Sequence, residues 1–335
     1  TDGDAAVIAR RDTPYGRIVI AGTGDNIHNE DCAALYDLGG NDVCFNNQAG
    51  SIPAAVPTAI LVDFDGNDSY ESTDPLTQGS GNFGVGILRD LAGDDTYIGI
   101  REVQGTAFAG IGLLLDEAGN DTYRAIDTAQ GVAFFGTGIL GDRSGNDRYE
   151  AHQAAQGVGS TGGIGILSDL AGNDTYYCKG GQQTGYDTRG HYEGWSQGMG
   201  FGLRPYASGG IGILYDGAGA DRYEAGTFAQ GGGYYYAFGI LADDGDADDS
   251  YLGTRYAQGF GVHQAVGAFV EAGGNDTYRT RHCVAQGLAW DESVGLFLDE
   301  AGNDRYDGGE GFSLGAVSHN GLCFFLDRAG DDIYT

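Results

Sequence analysis

An eight-residue segment, Asp116-Glu117-Ala118-Gly119-Asn120-Asp121-Thr122-Tyr123, returns in variant form from Leu35 to the end of the chain, and no other feature constrains the fold as strongly. Its second aspartate recurs as Asp42, Asp68, Asp95, Asp121, Asp147, Asp174, Asp221, Asp249, Asp276, Asp304 and Asp332, at intervals of 26 to 28 residues with one interval of 47. A fixed period of this size marks a solenoid or a propeller, in which no unit can bury its apolar face without stacking on its neighbours. Propeller blades typically need about 40 or more residues for four strands, so these units are too short. Gly 63 of 335 residues argues against helices, since each interior glycine costs a helix about 1 kcal/mol.

The expected fold is therefore an all-β, single-domain parallel β-solenoid of about 11 coils of 26–28 residues with one inserted loop. Each coil runs from an apolar strand such as Gly110-Ile111-Gly112-Leu113-Leu114-Leu115 through the acidic turn to a strand containing Tyr, then to Gln-Gly and a third stretch, which predicts three sides. Stacked at roughly 4.8 Å per strand, the coils make a rod of about 50 Å. Residues 1–31 read as an N-terminal cap or degenerate coil, and residues 32–335 as the repeats. The long interval holds about 20 extra residues, expected as a loop over 178–206 on a binding face. That loop carries Tyr186, His191, Tyr192, Trp195, Arg204 and Tyr206.

Forty-eight acids against 17 bases give a formal charge of -31, which repels nucleic-acid backbones and anionic lipid. No apolar run approaches the roughly 18 residues needed to span a membrane, so no membrane insertion is expected. Five scattered cysteines form no disulfide framework, and Cys32 with Cys44 is the pair worth testing. Thr1 in place of an initiator Met fits a mature secreted chain or a trimmed one, and the expected location is extracellular or periplasmic. The last repeat runs into Tyr334-Thr335, so the expectation is that the insertion or a partner covers this edge or that the natural chain continues; an uncovered edge would invite end-to-end self-association.

Stacking in register converts the motif into two acidic columns, of which Asp90, Asp116, Asp142 and Asp169 belong to one and Asp95, Asp121, Asp147 and Asp174 to the other. Like charges at strand spacing require bound cations, hydrogen bonds from backbone N–H groups, or partial protonation. Ca2+ suits such columns because it takes six to eight oxygen ligands in flexible geometry. The alternative is that each Asp caps its own turn. Gly119-Asn120-Asp121-Thr122-Tyr123, like Gly172-Asn173-Asp174-Thr175-Tyr176 and Gly274-Asn275-Asp276-Thr277-Tyr278, resembles the second half of the RTX calcium-binding nonapeptide, and that resemblance implies calcium held between turns. The Tyr column from Tyr70 to Tyr334 reads as stacked packing.

In the early coils, strands such as Gly84-Val85-Gly86-Ile87-Leu88 alternate glycine with apolar residues, and the expectation is that the glycines line a flat outer strip. In the last coils one column reads Tyr235, His263, Asp291 and His319, flanked by Tyr234 and Trp290, with Tyr236, Gln264, Glu292 and Asn320 expected to point the other way unless a bend intervenes. His28, His152 and His282 are expected to be ordinary surface residues. His beside Asp on adjacent strands can make an oriented general base, or a transition-metal site, or a plain hydrogen-bonded ladder. The chemistry expected is lyase or hydrolase action on an extended polysaccharide, with His263 or His319 as base, Tyr235 as acid, Asp291 as orienting group, and Tyr192, Trp195, Arg204, Tyr206, Tyr234 and Trp290 as binding residues, Trp195 and Tyr192 forming a wall. The alternative is a noncatalytic, calcium-stabilised structural, adhesin or ligand-binding module.

Overall fold

The computed structural model describes residues 7–45, 48–185, 190–282 and 284–335; Tyr186 and Cys283 lie outside them. It is built from strands, with no helix among the described residues and hence none long and apolar enough to cross a membrane. Stacked parallel sheets form a single-domain β-solenoid of about 11 turns.

One turn illustrates the pattern, although the short third strand forms in only some of the turns. Ile111–Leu115 belongs to a 13-stranded sheet, the long sheet, and Thr122–Arg124 to a 12-stranded sheet, the tyrosine sheet. The short strand Asp127–Ala129 follows, then Val132–Phe134 in a 9-stranded narrow sheet, then Thr137–Gly141 one turn on in the long sheet. The turn thus has four sides, because the stretch between Tyr and Gln bends into a short strand of its own. At that bend Gln130, with φ 61°, donates from its side-chain amide to the carbonyls of Tyr123 at 3.0 Å and Glu150 at 3.2 Å. The Gln column supplies hydrogen bonds to carbonyls that a bent ladder leaves without partners, which is why an amide recurs there. Gln48, before the regular coils, makes the same contacts to Cys44 and Glu71.

Alternation fixes what faces inward. Leu114 and Gly112 are buried while Ile111, Leu113 and Leu115 face out, and the same parity holds in neighbouring strands paired without slippage. The glycines are therefore inward, correcting the outer strip expected for them. A Cβ built on Gly138 would sit 2.1 Å from the Val132 carbonyl oxygen, so the long and narrow sheets touch backbone to backbone. Leu and Tyr columns fill the remaining core, with Tyr97, Tyr123, Tyr149 and Tyr176 stacked at 4.8 Å between ring centroids.

The extra residues of the long interval are divided between two hairpins, where one loop was expected. The first, bridged by Gln183 and Tyr192, leaves after the tyrosine strand Thr175–Cys178; the second, bridged by Leu203 and Ala207, leaves from the corner between the narrow and long sheets. A similar hairpin, Ile52 to Val56, rises from that corner near the start of the chain. Val7–Thr13 pairs antiparallel with Gly16–Ala21, which already stacks in parallel on Ala34–Asp37, so charged Arg10, Arg11 and Asp12 line the first edge of the long sheet. Cys32 and Cys44 are both free thiols.

Candidate functional site

Two arrangements carry chemistry: the acidic columns inside and one corner outside. Asp116 and Asp121 bracket their turn, both almost fully buried. Asp121 Oδ1 accepts the backbone N–H of Asp95 at 2.6 Å, and the Asp121 N–H is in turn donated to Asp147 Oδ1 at 2.6 Å. The links continue coil by coil across the long interval, from the Asp174 N–H to Asp221 Oδ1. In the other column Asp142 accepts the Tyr123 hydroxyl at 2.6 Å and the Ser144 N–H at 3.1 Å. Each tyrosine therefore packs with its ring and satisfies a buried carboxylate with its hydroxyl. The column of Asp142 also contains Asp243, which receives Tyr223 at 2.8 Å and which its altered turn, Asp243-Asp244-Gly245-Asp246, hides in the sequence.

Three of the four carboxylate oxygens in a typical turn thus have donors. The fourth, Oδ2 of Asp95, Asp121, Asp147 and Asp174, is buried and has none. It faces a neighbouring acid: one oxygen each from Asp95, Asp116 and Asp121 lie within 4.8 Å of one another, and the same holds for Asp68, Asp90 and Asp95 and for Asp121, Asp142 and Asp147. Burial, and then the charge of Asp116, pushes Asp121 up to about 10, and burial with Asp169 does the same to Asp174. Burial also lifts Asp142 to about 9 and Asp147 to about 7. Carboxylates this close in a dry interior cannot all stay ionised alone. The buried Asp stacks could hold a metal ion, and the orphaned oxygens fit one. Backbone capping describes Oδ1 and leaves Oδ2 unexplained.

The Asn of the motif has its own role. Asn146 donates through its side chain to Asn120 Oδ1 at 2.9 Å, and Asn173 to Asn146 at 2.9 Å, an exposed amide ladder alongside the acids. His28, expected as an isolated surface residue, instead takes the place of a tyrosine in the stack, above Cys44 and Tyr70, and its Nε2 lies 2.6 Å from Asp37. His282 likewise meets His191, ring to ring at 5.9 Å, while the first hairpin passes over His152 at Gly181.

The outer corner between the narrow and long sheets holds the column of the last coils. Its residues come in pairs, Tyr235 and Tyr236, His263 and Gln264, Asp291 and Glu292, His319 and Asn320, every one with φ between 50° and 61°. Two successive left-handed residues make a bend that turns both side chains outward, so the second column does not point into the core as strand parity predicts. His263 Nδ1 lies 2.7 Å from Asp291 Oδ2, and its Nε2 2.8 Å from Arg204 Nη1 at the tip of the second hairpin. A guanidinium only donates, so Nε2 accepts and Nδ1–H is donated to Asp291, which defines a neutral tautomer. Burial and then Arg204 lower the His263 pKa, outweighing Asp291, which raises it.

Of the other residues singled out from the sequence, Tyr234 sits edge-on to His263 at 5.2 Å, and Trp290 stacks on His319 at 5.3 Å. His319 Nδ1 is 2.7 Å from Ser318 Oγ. Tyr235 packs on Tyr236, and Tyr206 projects almost wholly into solvent. Trp195 is not a surface wall: it stacks on Phe228 at 4.1 Å and touches Tyr234 from beneath, with its ring N–H donated to Glu193. Tyr192 lies on the first hairpin, on the far side of the short strands from this corner. The Arg204–His263 contact spans 59 residues and is the one element here that no period could have announced.

No known protein family matches the chain, and no curated protein and no solved structure is significantly similar to it.

Proposed function

We propose that the protein is a calcium-stiffened rod, extracellular or periplasmic, that binds an extended polysaccharide along the corner of its last coils. The observation that carries this reading is the hydrogen-bonded row Asp291, His263 and Arg204, set between Tyr234 and Trp290 on stacked turns. Aromatic faces and outward polar groups repeating at strand spacing suit a polymer lying along the stack. Arg204 supplies a local cation on a chain of charge -31, so uronate-bearing chains become acceptable beside neutral ones.

Ca2+ is the ion favoured for the acidic stacks, since carboxylate oxygens are hard ligands and the gaps impose no fixed geometry. Extracellular calcium-binding modules work with dissociation constants of about 0.1–1 mM, which agrees with the proposed location. Titrating a panel of neutral and acidic polysaccharides by calorimetry, with Ca2+ and with chelator, tests both parts. Binding that Arg204→Ala abolishes supports the strip; a protein that binds no polysaccharide overturns it.

A second reading, lyase or hydrolase chemistry, is favoured by one detail: Asp291 orients His263 as it would a general base. In this geometry Nε2 is occupied by Arg204, so catalysis requires the guanidinium to swing onto substrate first. Tyr235 would then be the acid and His319 an alternative base. Chain cleavage that disappears in His263→Ala or His319→Ala would establish this reading, and binding without cleavage would reject it.

A further inference from the structure

The long sheet presents a broad outer face that is almost free of charge. From Thr58–Asp63 to Leu322–Asp327 it contributes ten strands in continuous register, each with three outward positions. Of those thirty positions only Arg89 is charged; the rest are mainly Ile, Leu and Val, as at Ile111, Leu113 and Leu115. Ile111 and Ile211 are 49% and 39% exposed. The tyrosine sheet shows the opposite: its outer positions include the pairs Arg148 and Glu150, and Arg222 and Glu224, bridged to each other. A sheet with one solvated face should carry polar residues there, as the tyrosine sheet does.

We propose that the outer face of the long sheet is a homodimer interface, in which two copies of this chain pack face to face about a two-fold axis. Nine strand spacings of about 4.8 Å and a width of three outward residues give a patch of roughly 800 Å² per copy, the size of a standard stable interface. The columns of the patch repeat at strand spacing in unbroken register, and the same patch on a second copy offers the same columns at the same spacing, which is the self-complementarity an isologous dimer needs. Its rim along the acidic turns is polar, with Glu117 paired to Arg89 at 2.6 Å and to Arg143 at 2.9 Å. A net charge of -31 disfavours an anionic lipid surface as the occupant. The same charge opposes dimerisation only through carboxylates off the patch, whose repulsion salt screens.

Sedimentation equilibrium of the full chain tests this. The expected mass is twice 34.9 kDa, with tighter association at about 0.5 M than at about 0.05 M salt. Leu113→Lys combined with Ile213→Lys places two charges on outward positions without touching the core. It should weaken the dimer at least a hundredfold, with circular dichroism and melting used to check that the variant folds. Ile213→Cys, near the middle of the ten strands, should cross-link two copies on oxidation, whereas Thr175→Cys on the tyrosine sheet should not. A monomer at both salt concentrations overturns the proposal. So does a dimer that survives the lysine pair, which would place the contact at the ends of the rod, or a monomer that sediments with neutral phosphatidylcholine vesicles.

Discussion

The corner between the narrow and long sheets appears twice in this molecule with different contents. In the early coils it holds one left-handed residue per turn, Phe83, Ala109 or Phe135, followed by Gly84, Gly110 or Gly136. In the late coils it holds two, followed by Ala237, Ala265 or Ser293 and, in the last coil, by Gly321. One added residue is absorbed entirely outside. Tyr97 pairs with Tyr123 and Tyr251 with Tyr278 in the same register, and the backbone-to-carboxylate links are 2.6 Å between Asp95 and Asp121 and 2.7 Å between Asp249 and Asp276. The interior is thus a repeated commitment, and the corner is free to vary. Left-handed residues other than glycine carry a conformational cost that neighbouring structure must bear, and pairs of them confined to one end of the rod are where a functional reading is best spent.

If the interior is common to both ends, perturbing it should act on the whole rod, and the largest effect should come from pH. The buried acids have pKa values raised above the ordinary 3.8, to about 10 at Asp95 and Asp121 and about 9 at Asp216 and Asp249. A raised folded-state pKa contributes stability that is complete below about pH 4 and is lost as pH climbs toward 9 or 10. The metal-free protein should therefore melt lower at pH 9 than at pH 5, by on the order of 10 °C or more. Ca2+ should reverse the loss at high pH and release protons as it binds, since it takes the place the proton held. Calorimetry across pH with chelator and with Ca2+ reads this out; a melting temperature that rises with pH would show that the columns are ionised and otherwise neutralised.

The next effect down is steric. Gly138→Ala in an early coil and Gly267→Ala in a late one drive a Cβ to 2.1 Å from the Val132 oxygen and 1.9 Å from the Phe260 oxygen. Each should cost about 3 kcal/mol in denaturant unfolding, and a large difference between them would mean that the two ends are not built alike. Tyr123→Phe should cost less, about 1–3 kcal/mol, because it leaves the buried Asp142 Oδ2 without its donor while keeping the ring.

These glycines also show where the sequence stops being legible. The period gave the solenoid, the stacking order of Tyr and Asp, and the place of each turn, because a repeat states the same answer many times. It did not say which face of Gly84-Val85-Gly86-Ile87-Leu88 is inside, since both parities are apolar or glycine; the buried Asp90, two residues beyond Leu88, settles the parity only once that column is known to be internal. A single interval of 47 residues measures how much is inserted and not at how many places, so two hairpins read as one. The bend that turns Gln264 and Glu292 outward depends on backbone angles that alternation cannot express. The Arg204–His263 contact joins a hairpin tip to a coil two turns on, and only the folded chain brings them together.

The smallest effect on stability, and the one that separates corner from interior, is expected at that contact. Arg204→Ala and His263→Ala remove exposed or half-buried groups, so each should shift unfolding by no more than about 0.5 kcal/mol. Replacing the two neighbours of His263 should move its titration in opposite directions. Burial and the Arg204 charge both hold the imidazole neutral, while Asp291 favours the charged form. Removing the guanidinium lifts one of the two restraints, so the pKa of His263 should rise in Arg204→Ala and fall in Asp291→Asn, as followed by nuclear magnetic resonance titration of the ring. In the parent protein a lowered folded-state pKa means that the site gives up stability as pH falls through it, and Arg204→Ala should reduce that loss. Phe135→Ala, at the equivalent corner of an early coil, provides the matched control: it should leave both the titration and any polysaccharide binding unchanged. If Arg204→Ala leaves the His263 titration where it was, the two side chains are not in contact in solution and the corner is a surface ladder without a working centre.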